Sequence, residues 1–228
     1  MIKLLIQKVI RVKIMNYCVN IGCGASPTEG WRNFDNSPAI KLARSPLKYF
    51  LGKSLGLLNP EQIKYIEWLK INKIEFCDAT KKIPLSDNSV KTLYSSHMFE
   101  HLSRDASIMF LNEARRVLAD DGVMRIVVPD LEKIITTYSK NKNADQFMEK
   151  TFLSAPPIGS LKEMVYLFLS GYRHHQWMYD GDSLVSIIKK QKFSNVIIQN
   201  NGVTLIEEPG ELNLSEREQE SVIVEATK

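Results

Sequence analysis

Cysteine is scarce in this sequence, and long apolar runs are missing. The three cysteines, Cys18, Cys23 and Cys77, follow no metal-ligand spacing. An odd number of cysteines without a disulfide framework indicates a reducing compartment, so we predict a cytoplasmic protein. Lys8 and Arg11 interrupt the apolar stretches near the N terminus, which predicts neither a signal peptide nor a membrane-spanning helix.

Internal repeats and low-complexity tracts are also absent. A chain of 228 residues without them is long enough for one domain, so we predict a single domain over 1–228, with a basic N-terminal segment at 1–16. Aromatic and basic residues are not interleaved as in RNA-binding surfaces, and we therefore expect no nucleic-acid partner.

The net charge of +4 is distributed unevenly along the chain. Residues 1–60 contain nine Lys and Arg but only two acidic residues, a net charge of +7, whereas the remainder carries −3. The ordinary interpretation is a solvated face on which lysine stems cover apolar surface. A basic face can also attract an anionic substrate or make weak contact with a membrane surface.

Short apolar runs alternate with helical patterns, which predicts an α/β fold with a seven-stranded, mostly parallel sheet and flanking helices. The clearest helical pattern covers Ser103–Ala119, with one apolar face predicted to pack on the core, and a shorter one covers Asp182–Lys192. The predicted face consists of Ala106, Met109, Phe110, Ala114 and Val117. Two helical insertions are predicted after the second and fifth strands, at 38–72 and 131–179, where they would cover the carboxyl edge of the sheet. The predicted strands are Tyr17–Ile21, Arg32–Phe34, Ile74–Cys77, Val90–Tyr94, Val123–Val128, Val196–Gln199 and Ser221–Ala226.

The first predicted strand runs into a tight turn, Gly22-Cys23-Gly24. A strand followed by such a turn is typical of open α/β sheets that place a nucleotide-like cofactor at their carboxyl edge. A dinucleotide loop needs a third glycine and an immediate helix, but Pro27 stands in that position. Only Ala25–Trp31 joins the first two strands, so we predict that the usual first crossover helix is missing.

The missing helix also bears on the type of ligand. A pyrophosphate is usually bound at a helix N terminus, and this turn would offer none. This disfavours a nicotinamide-dependent oxidoreductase. A ligand with a carboxylate, a ribose and an adenine, but no phosphate, fits the turn better.

Seven stretches make the chain resemble the class I S-adenosylmethionine-dependent methyltransferases over roughly residues 17–228. The resemblance is closest to a branch of small methyltransferases often linked to bacterial surface-polysaccharide synthesis. It implies a Rossmann-like fold, S-adenosyl-L-methionine as cofactor, and methyl transfer to a small-molecule or glycan-type acceptor, as O-methylation by direct displacement. The stretches are VNIGCG (19–24), WRNFD (31–35), FCDA (76–79), SHMFEHL (96–102), EARRVL (113–118), DGVMRIVVPD (121–130) and HQWMYD (175–180).

The resemblance implies a cofactor site at the carboxyl ends of the first strands. Asp35 would accept hydrogen bonds from both ribose hydroxyls, because a carboxylate offers two acceptor oxygens, and Asp78 would accept from the adenine amino group. A solvated turn residue at Asp35 and a turn cap at Asp78 are the structural alternatives. Two positions differ from the family pattern: Asn20 stands where the family usually has an acidic residue, and Ser26 stands where it has a further glycine. The cofactor-binding residues so predicted are Asn20, Gly22, Cys23, Gly24, Asp35, Asp78, Ala79 and Ser96.

Catalytic residues are predicted after the fourth strand, at His97, Glu100 and His101. A histidine that titrates near neutral pH is a suitable general base for a hydroxyl acceptor, and His97 would stand beside the transferred methyl group. Alternatively, Glu100 favours a helix N terminus and His101 satisfies a hydrogen bond in the core. A catalytically inactive cofactor-binding or interaction module of the same fold is the second functional hypothesis.

A second polar cluster is predicted to bind the acceptor through Arg173, His174, His175 and Trp177. Adjacent histidines in an extended segment point in opposite directions, so both cannot line one site. The structural alternative is a lid whose aromatic side chains pack on the sheet. No close spacing of ligand residues predicts a metal site.

Overall fold

The computed structural model describes residues 17–154, 174–215 and 217–228. The predicted basic segment at 1–16, the middle of the 131–179 insertion and Arg173 lie outside the described residues.

Seven strands form one sheet in the order β3-β2-β1-β4-β5-β7-β6. Strands β1 to β5 pair in parallel, and β7 is antiparallel to both of its neighbours. This arrangement confirms the predicted Rossmann-like, mostly parallel α/β sheet. The strands are β1 (Tyr17–Ile21), β2 (Arg32–Asp35), β3 (Ile74–Phe76), β4 (Val90–Ser96), β5 (Leu118–Pro129), β6 (Ser194–Gln199) and β7 (Ser221–Thr227).

The described helices flank this sheet or follow the second and fifth strands. The predicted 38–72 insertion is helical, and each of its three helices begins with a proline, whose fixed φ suits the first turn. The helices are α1 (Pro38–Ala43), α2 (Pro46–Ser54), α3 (Pro60–Ile71), α4 (Arg104–Val117), α5 (Leu131–Asn141), α6 (Ala144–Thr151) and α7 (Gly181–Lys190), with a 3₁₀ turn at Phe99–His101.

The link between β1 and β2 contains no helix, as predicted. Side chains hold this loop instead. The Thr28 backbone amide donates to Asn33 Oδ1 over 2.8 Å, and Asn33 Nδ2 donates to the Thr28 carbonyl over 2.9 Å. Asn20 Nδ2 donates to Thr28 Oγ1 over 3.0 Å. The two parallel strands are therefore joined by a loop that is fixed through buried amides.

Helix α4 is shorter than predicted. It ends at Val117, because Leu118 already takes extended backbone angles and begins β5. Phe110, Ala114 and Val117 of its predicted apolar face are buried, but Met109 is not. Met109, predicted to face the core, is 49% exposed, whereas Ser107 and Leu111 are buried. The turn residues around Gly122 lie in an irregular part of β5, since the pairing with β4 shifts between Val90 and Thr92.

Candidate active site

A cleft of about 720 Å³ lies at the carboxyl ends of β1 to β4. Open α/β sheets bind their ligands at this edge. Helices α1 and α3 form one wall, and the 3₁₀ turn after β4 contributes the opposite wall. The residues that line the cleft include Gly22, Gly24, Asp35, Glu61, Tyr65, Cys77, Asp78, Ala79, His97, Met98 and His101.

The Gly22-Cys23-Gly24 turn is fixed to the neighbouring strand. The amide nitrogens of Gly22 and Cys23 both donate to the carbonyl of Phe34, over 2.8 and 3.1 Å. Gly22 has a φ of 75° and Gly24 a φ of 52°, a region that favours glycine. A Cβ atom on Gly22 would lie 2.4 Å from Met98 Cγ, so the absence of a side chain lets Met98 pack against the turn.

Asp35 lies at the end of β2 and faces the glycine turn. Its Oδ2 accepts a hydrogen bond from the Gly24 amide over 3.0 Å, and its Oδ1 accepts from the Ser37 amide over 2.7 Å. Each carboxylate oxygen can accept more than one hydrogen bond, so capacity for a ligand diol is retained. Burial raises the pKa of Asp35, although these two backbone donors oppose the shift.

Asp78 follows β3 and also lines the cleft, together with Ala79. Its Oδ1 accepts from Thr80 Oγ1 over 2.6 Å, and its Oδ2 pairs with Lys81 Nζ at 2.9 Å. Partial burial would raise the pKa of Asp78, but the Thr80 and Lys81 contacts together lower it. Asp78 is therefore a turn cap that stays ionised and still borders the cleft.

Three of the predicted cofactor residues do not line the cleft. Asn20 is buried, and its amide holds the loop through Thr28. Cys23 is packed in the core beneath α1 and α3, and burial, with Asp35 nearby, raises its pKa to about 12. The Ser96 hydroxyl is buried at the end of β4. For Asn20, which lies within β1, the alternation of side chains along a strand explains this position.

A second cavity of about 580 Å³ adjoins the cleft. Gly24, His97 and His101 line both spaces. Helices α5 and α6 form its far wall, so the part of the 131–179 insertion that is described lies over the carboxyl edge, as predicted. The lining also includes Glu100, Lys133, Thr137, Tyr138, Asn141, Gln146, Lys150, Phe152, His175 and Arg217.

His97 stands where the two cavities meet. Its φ of 49° is left-handed, and its amide donates to the Val127 carbonyl over 2.9 Å, which fixes the chain after β4. Nε2 lies 3.0 Å from Ser221 Oγ, and Nδ1 lies 3.2 Å from Arg217 Nη1 and 3.4 Å from Glu100 Oε1. Both ring nitrogens therefore have polar neighbours within the protein.

Glu100 and His101 lie in the 3₁₀ turn, against the segment that contains His175. The Gln176 amide donates to the Glu100 carbonyl over 2.9 Å, and Gln176 Nε2 donates to the His101 carbonyl over 2.8 Å. His175 Nε2 is 3.8 Å from Glu100 Oε1. Burial is the main cause that lowers the pKa of His175, and the neighbouring histidines lower it further. The Glu100 carboxylate opposes this shift.

The predicted acceptor cluster is only partly brought to the second cavity. His175 lines it, whereas His174 and Trp177 do not, in agreement with the expectation that the adjacent histidines point apart. Trp177 is 44% exposed, and the Arg104 guanidinium lies 5.0 Å from the centre of its ring. Arg173 lies outside the described residues.

Sequence reasoning missed the basic side chains of the second cavity. Lys133 and Lys150 come from α5 and α6, and Arg217 comes from the loop before β7. No short motif contains them. The one available signal was the position of the insertion, since a helical pair that follows β5 starts at the carboxyl edge of the sheet.

Comparison with known proteins gives a family match for part of the chain. Residues 57–126 match the family described as "Methyltransferase domain". The matched segment contains Asp78, His97 and Glu100 but not the glycine turn. No curated protein matches the chain.

Two solved structures share the fold. One is a SAM-dependent methyltransferase from Thermotoga maritima, described as a possible histamine N-methyltransferase, with 14% identity over 98% of this chain and 86% of that chain and a TM-score of 0.50. The other, described as the DhpI-SAM-HEP complex, has 10% identity over 98% of this chain and 83% of that chain, also with a TM-score of 0.50. At these identities the likeness shows the fold alone. The partial family match is to a methyltransferase domain, and the solved structures show the fold. Neither singles out a smaller branch.

Proposed function

We propose that this protein transfers a methyl group from S-adenosyl-L-methionine to a hydroxyl of a small-molecule or glycan-type acceptor. The observation that carries the proposal is the junction of the two cavities. One cavity contains the glycine turn with Asp35 and Asp78, and His97 lies on the wall that it shares with the other cavity. A donor and an acceptor bound side by side would meet at that wall.

The residues of the cleft fit the cofactor. The backbone of the Gly22–Gly24 turn is exposed to the ligand without side chains at either glycine, and Asp35 would accept hydrogen bonds from the ribose hydroxyls. Asp78 and Ala79 would border the adenine. When bound, S-adenosylmethionine supplies a methyl group on a sulfonium centre, which is already a strong electrophile. The protein therefore has to align the two reactants and, for a hydroxyl acceptor, receive a proton.

The second cavity suits an anionic acceptor such as a sugar nucleotide or a phosphorylated glycan. Lys133, Lys150 and Arg217 line it together with two acidic residues, Glu100 and Glu220, and Glu220 pairs with Lys150 at 2.8 Å. Tyr138 and Phe152 provide aromatic surface for a sugar ring. The proposed relationship to the polysaccharide-associated branch and a cytoplasmic location are both consistent with this acceptor class.

One observation favours the alternative of an inactive binding module. Because both ring nitrogens of His97 have polar neighbours, accepting a proton requires one of these contacts to be exchanged for the acceptor hydroxyl. A module that retained the fold but lost the reaction would bind S-adenosylhomocysteine and transfer no methyl group.

Two measurements test the proposal. Calorimetry with S-adenosylhomocysteine should show one site per chain. Protein incubated with methyl-labelled S-adenosylmethionine and a panel of sugar nucleotides and phosphorylated glycans should transfer label to at least one of them. Absence of cofactor binding contradicts the proposal, and binding without transfer to any hydroxyl acceptor supports the inactive module.

The basic N-terminal quarter also supports a weak contact with an anionic membrane surface. Helix α2 and the turn after it expose Leu47, Phe50, Leu51, Leu55 and Leu57 beside Lys48 and Lys53. Apolar side chains next to lysines are typical of surfaces that lie in the headgroup region of anionic bilayers. Among the described residues, no helix has the length and apolar character needed to cross a bilayer.

A further inference from the structure

Three of the four histidines in the chain, His97, His101 and His175, surround one buried carboxylate, Glu100, on the wall of the second cavity. Glu100, His101 and His175 each present a ligand atom, and these atoms lie within 4.8 Å of one another. His175 is 74 positions from His101 along the chain, so no spacing in the sequence could reveal this group. We propose that Glu100, His101 and His175 bind a divalent first-row transition-metal ion, with zinc as the best-matched species.

The state of the Glu100 side chain is the first argument. It is 1% exposed, and neither carboxylate oxygen has a hydrogen-bond donor among the described residues. Two histidine nitrogens lie near Glu100 Oε1, His97 Nδ1 at 3.4 Å and His175 Nε2 at 3.8 Å. A buried carboxylate without donors is costly, and a bound cation removes that cost directly.

The orientation of His101 is the second argument. Its Nδ1 lies 3.1 Å from the His174 carbonyl oxygen, which can only accept, so Nδ1 carries the proton and Nε2 keeps its lone pair. Histidines that bind metals usually donate their other ring N–H to a carboxylate or a backbone carbonyl, which fixes the tautomer. His101 therefore already has the arrangement that a metal ligand needs.

The backbone holds the ligands together from two segments. The Glu100 carbonyl accepts from the amides of Gln176 and Trp177, at 2.9 and 3.2 Å, and the His175 amide donates to the Phe152 carbonyl over 2.8 Å. These bonds place His175 beside the 3₁₀ turn whether or not an ion is bound, so the site does not depend on a large rearrangement.

The donor set determines the class of ion. Two imidazole nitrogens and one carboxylate oxygen suit zinc and its neighbours better than magnesium or calcium, which prefer oxygen ligands. Ligand atoms around a tetrahedral zinc lie about 3.4 Å apart, so the side chains have to move inward on binding. Three protein ligands would leave one position open toward the cavity. A role for that position in activating the acceptor hydroxyl rests on the proposed function, whereas ion binding does not.

Cobalt binding tests the site without any substrate. Tag-free protein, stripped with a chelator, is titrated with Co²⁺ while visible absorption and calorimetry are recorded, and Zn²⁺ is then added in competition. One Co²⁺ per chain, displaced by one Zn²⁺, is expected. Glu100→Gln and His175→Gln should each weaken binding at least tenfold, because loss of even an outer-shell partner costs about that much. His174→Gln, a matched change at the adjacent position whose side chain is not in the cluster, should bind Co²⁺ like the wild type.

Thermal melting of the metal-free variants shows whether they remain folded, and His101→Gln replaces any variant that does not. Absence of stoichiometric Co²⁺ and Zn²⁺ binding by the wild type overturns the inference. So does binding that the Glu100, His101 and His175 substitutions leave unchanged, or that His174→Gln weakens as much as they do. Calorimetry with S-adenosylhomocysteine on the same samples separates the two proposals, since metal binding without cofactor binding contradicts only the proposed function.

Discussion

The Gly24 amide nitrogen donates a hydrogen bond to Asp35 Oδ2 over 3.0 Å, and this bond joins the glycine turn after β1 to the end of β2. The two features that the sequence suggested separately therefore form one unit. Since φ at Gly24 is 52°, the turn can aim this amide at the carboxylate. The second oxygen of Asp35 is fixed by Ser37, so the carboxylate has a defined orientation before a ligand arrives.

Asp35→Asn should weaken S-adenosylhomocysteine binding about tenfold or more. The substitution replaces one acceptor oxygen with a donor, and an unpaired buried polar group costs roughly 1–3 kcal/mol. Calorimetry measures the affinity, and melting shows whether the loop remains folded. Asp120→Asn is the matched control, because Asp120 is exposed and distant in sequence from the cleft residues. Wild-type affinity in both Asp35→Asn and Asp78→Asn would contradict the assignment of the cleft.

The affinity for S-adenosylhomocysteine should fall on acidification at a higher pH than an ordinary aspartate would require. Burial raises the pKa of Asp35, and only the ionised carboxylate can accept from both ribose hydroxyls. The effect on stability has the opposite sign. A raised pKa in the folded state means that protonation relieves the penalty of burying the charge, so the contribution of Asp35 to folding improves as pH falls through that pKa.

Calorimetry across an acidic pH series checks this prediction, with Asp35→Asn as the reference for titration of the ligand itself. The wild-type affinity should decline relative to the variant, whose side chain does not titrate in this range. Parallel pH profiles in the two proteins would show that Asp35 does not carry the dependence.

Gly22→Ala should destabilise the protein and disorganise the cofactor turn. The new Cβ atom would lie 2.4 Å from Met98 Cγ, and a φ of 75° costs a non-glycine residue roughly 1–3 kcal/mol. Gly30→Ala is the matched control, since φ there is 76° but no atom lies within 4 Å of the added Cβ. Melting should show a larger loss for Gly22→Ala than for Gly30→Ala. Equal losses would mean that the contact with Met98 is unimportant.

Much of the sheet could be predicted from the sequence, because buried strands with turn residues between them leave a strong local pattern. The bounds of β1 and the missing crossover helix are examples. The face that a residue presents was harder to predict. Met109 is exposed and Ser107 is buried, because the buried stripe of α4 is set by its packing against the sheet rather than by hydrophobicity alone.

The second cavity shows what local patterns could not provide. Arg217 reaches His97 from 120 positions away, and His175 reaches Glu100 from 75 positions away. Such contacts depend on the tertiary fold, which brings Arg217 before β7 and His175 before α7 to the carboxyl edge of the sheet. A sequence alone shows the residue types but not the path by which these segments reach the edge, so the proposed metal-ligand group could not be predicted.

The protein should bind vesicles that contain anionic lipid and not vesicles of neutral lipid alone. The exposed apolar residues on α2 would become buried in the headgroup region, and Lys48 and Lys53 would be attracted to the anionic headgroups. Sedimentation with phosphatidylglycerol-containing and pure phosphatidylcholine vesicles measures the difference. Phe50→Ser with Leu51→Ser should weaken binding severalfold, whereas Met109→Ser, an exposed apolar residue on α4, should not. Equal binding to both vesicle types, or equal effects of the two sets of substitutions, would contradict this contact.

His97→Gln separates a catalytic from a structural role at the junction of the cavities. If His97 receives the acceptor proton, turnover should fall while S-adenosylhomocysteine affinity stays nearly unchanged, because the lost interaction belongs to the reaction and not to cofactor binding. If His97 only connects Ser221, Arg217 and Glu100, the melting temperature should fall and turnover should decrease in proportion to the folded protein that is lost.

Ser221→Ala is the matched variant, since it removes the partner of His97 Nε2 and keeps the imidazole. A base at His97 predicts that Ser221→Ala retains most of the turnover that His97→Gln loses. Wild-type turnover per folded molecule in His97→Gln would eliminate the catalytic role. The proton would then have to leave through another group on the cavity wall, and His175 becomes the next histidine to test, because its ring is buried there and burial lowers its pKa.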